Sequence, residues 1–78
     1  MATKFKCTKI VVGGLPAAGS NEVGCQVYYV DPTTNPPTPY SSYRSVLKTE
    51  AENPTDLKTD LDVAVATDQG GDTMDWTL

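Results

Sequence analysis

The sequence predicts a mainly β fold: a small antiparallel sheet or sandwich of about five strands at 3–12, 22–30, 43–49, 61–67 and 73–78. Three observations carry that expectation. Polar and apolar residues alternate over several short stretches, the period of a strand that buries one face. Segments rich in Gly, Pro, Asn and Ser separate these stretches. Eleven of the 78 residues are threonine, a β-branched residue content at half-exposed strand positions, whereas only fifteen are Val, Ile, Leu or Phe.

Lys4-Phe5-Lys6-Cys7-Thr8 alternates and then runs into Ile10-Val11-Val12, so residues 3–12 read as a strand with a bulge near Lys9, where the phase changes. Residues 13–21 (GGLPAAGSN) form a loop of breakers and small side chains. Residues 22–30 return as a second strand with Val23, Cys25, Val27 and Tyr29 on one face, pairing with the first as a hairpin. Residues 31–42 (DPTTNPPTPYSS) hold four prolines, which remove donors and favour extended backbone. This segment is expected to be an extended arm or a long loop. Residues 43–49 resume alternation as a third strand.

Helix chemistry is confined to residues 50–60, where Asn53 suits an N-cap, Pro54 the first helical position and Asp56 the first turn. Leu57 and Leu61 are spaced to share a helical face, but Leu61, Val63 and Val65 also alternate with Asp62, Ala64 and Ala66. The expectation is a short helical turn at 54–59 followed by a strand at 61–67, with a continued helix as the alternative. Residues 68–72 then turn, and 73–78 pair back with Met74, Trp76 and Leu78 on one face.

The length fits a single domain spanning 1–78. So few aliphatic side chains make a thin core, and single cores in chains of roughly 70–80 residues seldom supply more than about 3–5 kcal/mol. The usual reinforcements are scarce: two cysteines, no histidine and no metal-ligand cluster. Residues 1–30 carry three lysines against Glu22, whereas 31–78 carry nine carboxylates against Arg44, Lys48 and Lys58, for a net charge of −4. That balance argues against direct nucleic-acid binding, which needs clustered cations. No charged segment followed by an apolar one opens the chain, and no run reaches the roughly 18–20 apolar residues of a membrane span. Neither signal-peptide secretion nor membrane insertion is expected.

Catalysis is not expected either. Without histidine the chain lacks the usual acid/base near neutral pH and the common activator of a nucleophilic Ser or Cys. Cys7 and Cys25 fall on apolar faces of neighbouring strands, either as buried thiols or as a cross-strand disulfide closing a 19-residue loop, worth about 3 kcal/mol. Two cysteines alone do not complete a zinc site, and the aspartates at 60, 62, 68, 72 and 75 do not match a calcium loop. No catalytic residue, cofactor or metal ligand is therefore assigned.

What remains are interaction signals. Pro36, Pro37, Pro39, Tyr40 and Tyr43 form a pre-extended segment with aromatic anchors, and Trp76 is either a core filler or a docking anchor. A small sheet also leaves edges open to other chains. The expected function is a non-catalytic structural or interaction subunit of a larger, symmetric assembly with protein partners, bound to neither nucleic acid nor membrane. Its most specific form is a virion accessory protein, a capsid decoration or head/tail adaptor subunit, located in the virion; outside that setting the chain would be cytoplasmic. The alternative is a small acidic inhibitor that imitates nucleic acid, since residues 50–75 hold eight carboxylates against Lys58 alone.

Overall fold

Alternation in the first half of the chain builds three long strands in succession. The computed structural model describes residues 3–71 and 73–76. Strands β1 (Thr3–Val12), β2 (Glu22–Asp31) and β3 (Thr38–Leu47) are followed by a single helical turn, α1 (Lys48–Ala51), a long helix, α2 (Pro54–Gln69), and a short strand, β4 (Thr73–Asp75). The strands form one sheet in the order β3-β2-β1-β4. β1 and β3 are antiparallel to β2, and β4 runs parallel to β1.

The fold is mainly β, but it is an open, mixed four-stranded sheet with a helix against one face rather than a five-stranded sandwich. The β1–β2 hairpin has the expected bounds to within a residue. Its register slips between Cys7 and Lys9, where the alternation changes phase.

The expected turn at 54–59 and strand at 61–67 are replaced by one helix, α2. Asn53 caps it, its side chain accepting from the Thr55 and Asp56 amides at 3.0 and 3.4 Å, and Pro54 occupies the first turn. Leu57, Leu61, Ala64 and Val65 follow at the 3.6-residue period and are buried, while Val63 is half exposed. Gly70 ends the helix at φ +69°, a conformation that costs glycine nothing. Residues 61–67 therefore bury a helical stripe, and alternation there is incidental.

Two further bounds differ from expectation. The third strand starts at 38 and ends at 47, so the proline-rich arm of 31–42 contributes 38–42 to the sheet and only 32–37 remain a loop. Pro39 fits because β3 is an edge strand. The last strand covers 73–75, Trp76 lies beyond it, and residues 77–78 lie outside the described residues.

The core lies between α2 and the sheet. Tyr29, Phe5, Leu61, Val27, Val46 and Val65 are its largest fully buried side chains. Phe5 meets Tyr29 and Tyr40 edge-on at 5.2 and 5.5 Å between ring centres, and the two tyrosines stack at 5.8 Å. The Tyr29 hydroxyl lies 2.7 Å from Ser42 Oγ and accepts from Gln69 Nε2 at 3.2 Å, which satisfies the polar atoms this core encloses there.

Candidate interaction surface

Strand pairing sorts the side chains between two faces. Cys25 opposes Arg44, Val27 opposes Ser42 and Tyr29 opposes Tyr40, and this set faces α2. The intervening pairs, Gln26–Tyr43, Tyr28–Ser41 and Val30–Pro39, lie on the other face, where no helix packs among the described residues. β1 adds Lys9 beside Tyr28 and Lys6 beside Val30. Tyr28 and Tyr43 are exposed there. Lys9 Nζ stands 5.9 Å from the Tyr28 ring centre, the Tyr28 hydroxyl donates to Gln26 Oε1 at 3.4 Å, and Gln26 Nε2 donates to Ser41 Oγ at 3.2 Å. The uncovered face thus carries a lateral row of amphipathic side chains already oriented by one another.

One end of this face is covered by the chain itself. The 13–21 loop folds back so closely that a Cβ added at Gly24 would stand 2.5 Å from the Pro16 carbonyl oxygen. The Ala18 amide donates to Ser45 Oγ at 2.8 Å, and Ser45 in turn donates to Glu22 Oε1 at 2.8 Å. These contacts pin the 13–21 loop on the sheet.

The β3 margin is the other open feature. The Lys48 amide donates to the Asn21 carbonyl, which continues the β2–β3 ladder, and the Gly13 amide donates to the Gly24 carbonyl, which continues β1–β2. Antiparallel pairs alternate between bonded and non-bonded, so the first bond fixes even-numbered β3 residues as those bonded to β2. The second agrees, because it turns even-numbered β2 residues toward β1. Hence 39, 41, 43, 45 and 47 aim their backbone groups away from the sheet. Pro39, with no N–H to offer, falls in this outward set, and among the described residues no backbone bond occupies the outward side.

The residues expected to bind partners do not converge on one site. Tyr40 and Tyr43, three apart on a strand, lie on opposite faces: Tyr40 caps the core aromatics and Tyr43 lies on the open face. Pro36 and Pro37 are exposed in the loop before β3, and Pro39 is in the strand. Trp76 follows β4 at the far side of the sheet, partly buried against the core, with Nε1 donating to Asp62 Oδ1 at 3.4 Å. It lines a shallow hollow of about 310 Å³ with Thr55, Lys58 and Thr59. The open-face row of Lys9, Tyr28, Gln26 and Ser41, together with Leu47, escaped the sequence reading. Strict alternation in β2 was the available signal, because whatever lies opposite Cys25, Val27 and Tyr29 must point outward.

Chemistry elsewhere is limited. Cys7 and Cys25 are both buried and free, and burial pushes both thiols up. A disulfide between them is ruled out by register: Cys7 opposes Tyr29, four residues along β2 from Cys25, roughly 13 Å at ~3.3 Å per residue, against a limit of about 7 Å. Beside β3, a hollow of about 290 Å³ holds Arg44, Leu47, Glu22 and the facing carboxyls of Glu50 and Asp60. Asp60 buries its Oδ2 with no hydrogen-bond partner among the described residues, and hydrogen bonding with the Asp60 side chain raises Glu50 above its ordinary value. Burial and the charges of Asp60 and Asp56 add to the rise, and Arg44 opposes it.

Among the described residues, no three His, Cys, Asp or Glu side chains come together as a metal site, and no helix is long and apolar enough to cross a membrane. Comparison with protein-family models, curated proteins and solved structures gives no match.

Proposed function

We propose that this chain is a non-catalytic structural subunit of a larger, symmetric assembly and meets its protein neighbours along the β3 margin and the adjoining open face. One observation carries the reading: a ten-residue edge strand whose outward backbone groups find no backbone partner among the described residues, and which carries exposed Tyr43 and Leu47. Such a margin pairs with other chains unless something blunts it, and Pro39 blunts only one end. A neighbour there adds buried area and hydrogen bonds to a chain whose own core is thin.

The most specific form of the proposal is a virion accessory protein, a capsid decoration or head/tail adaptor subunit, located in the virion. That form rests on analogy with the build of small accessory subunits. The acidic-inhibitor alternative needs carboxylates along one continuous face. Those of α2 divide between two sides: Asp56 and Asp60 lie toward Glu50, and Asp62 toward Trp76 beyond β4. This distribution favours the assembly reading.

Sedimentation and thermal melting of the isolated chain over a range of concentrations test the proposal. The expected result is association and a melting temperature that climbs with concentration. A monomer melting above about 65 °C at every concentration removes its motive.

A further inference from the structure

The β3 margin narrows the kind of neighbour it accepts. We propose that it pairs with the β3 strand of a second copy of this chain, antiparallel and about a two-fold axis through Tyr43, so that two four-stranded sheets join into one. This deepens the assembly reading and rests on it.

Self-pairing must match outward residues with outward residues, so only odd-numbered positions can exchange bonds across the junction. Centring the axis on Tyr43 sets Tyr43 against its copy, Ser41 against Ser45 and Pro39 against Leu47, which uses the full outward set. Each central pair exchanges two bonds. Each end pair makes one, because Leu47 donates to the Pro39 carbonyl and Pro39 has no N–H to return. On the open face this register brings together the apolar members of the strand: Tyr43 and Leu47, both 46 % exposed, with exposed Pro39. On the helical face the only charge in β3, Arg44, falls opposite Ser42.

Neighbouring registers do worse. An axis through Arg44 sets that cation against its own copy, a destabilising arrangement for residues directly opposite. An axis through Ser42 leaves Leu47 facing residue 37, outside the strand. The favoured axis is normal to the sheet, so both α2 helices stand on one side and the open faces join into a single surface on the other. β4 is unsuited to the same role, since three residues provide too short a ladder.

The test is a pair of single-cysteine variants and one charge variant. In the proposed register the two Tyr43 Cα atoms stand roughly 5.5 Å apart, within disulfide range, whereas the two Ser41 positions are displaced by about four residues, roughly 13 Å. Under oxidised glutathione, Tyr43→Cys is expected to form a covalent dimer and Ser41→Cys to form no intermolecular disulfide, while still associating non-covalently. The native cysteines are buried and are left in place. Tyr43→Lys sets like charges opposite each other and should weaken dimerisation about tenfold or more by sedimentation equilibrium, with its circular dichroism and Trp76 emission unchanged. A wild-type chain that stays monomeric to about 1 mM overturns the inference. So does a Ser41→Cys bond in place of the Tyr43→Cys bond, or a dimer indifferent to Tyr43→Lys. Oxidising the Tyr43→Cys chain in its native setting separates the two levels. A large complex without the bond defeats only the second-copy inference, and an isolated monomer there defeats the assembly reading as well.

Discussion

The two margins of this sheet are built from opposite materials. β4 is three residues long and parallel to β1, and Trp76 just beyond it donates to Asp62 of α2. It is short, and the helix side of the molecule closes over it. β3 is ten residues long and regular, and among the described residues no backbone bond meets its outward groups. Edge strands are ordinarily kept short, twisted, charged or covered. One margin follows that practice and, among the described residues, the other does not, so the two edges of one sheet differ in how far they are protected.

The sharpest way to break the comparison is to treat the two sides of β3 separately. Ser42 bonds inward to the β2 ladder and places its hydroxyl 2.7 Å from that of buried Tyr29. Ser42→Pro should therefore cost about 3 kcal/mol or more in urea unfolding. The adjacent Tyr43→Pro removes only an outward donor and should cost about 1 kcal/mol or less while abolishing association. Equal losses from both would mean that β3 has no free side.

Tyr29→Phe strips Ser42 and Gln69 of their shared partner beneath the same strand and should cost about 1–3 kcal/mol in urea unfolding, with β3 association at matched folded concentration unchanged. At the other margin, Trp76→Ala should cost about 1–2 kcal/mol, because the ring is only partly buried. It too should leave dimerisation alone. As the only tryptophan in the chain, Trp76 offers a complementary check: its emission should not change when wild-type chains associate.

The smallest effect concerns pH beside β3. The folded chain holds the Glu50 proton more tightly than the unfolded chain does, so the pair's contribution is most favourable on the acid side. It declines as pH rises from the ordinary glutamate value of 4.5 through the raised one. Subtracting the stability profile of Glu50→Gln from that of wild type should reveal this decline. A flat difference across that window would show that Glu50 and Asp60 share no hydrogen bond.

Much of the fold was legible because local chemistry and tertiary packing agree in β1, its bulge, the 13–21 loop and β2. Where they diverged, two periods fitted the same residues. Leu61, Val63 and Val65 satisfy a strand, while Leu57, Leu61, Ala64 and Val65 satisfy a helix, and alanine at 64 and 66 suits either. The Asn53-Pro54 start and the Gly70-Gly71 stop decide it, once that stop is read as a helix end rather than a hairpin turn. The parallel pairing of β4 with β1 joins opposite ends of the chain, and no local pattern announces it. The candidate surface was half legible. Prolines and tyrosines drew attention to the segment that includes β3, but grouping Tyr40 with Tyr43 overlooked that an odd spacing separates faces on a strand.

Amide hydrogen exchange along β3, followed by NMR as a function of protein concentration, tests the central claim most directly. At high dilution the amides of Tyr40, Ser42, Arg44 and Val46 should be protected, and those of Ser41, Tyr43, Ser45 and Leu47 should exchange freely. Protection of the second set should appear as chains associate. Outward amides already protected at high dilution, or still unprotected once the chain is assembled, would contradict the claim that a neighbouring strand completes this margin.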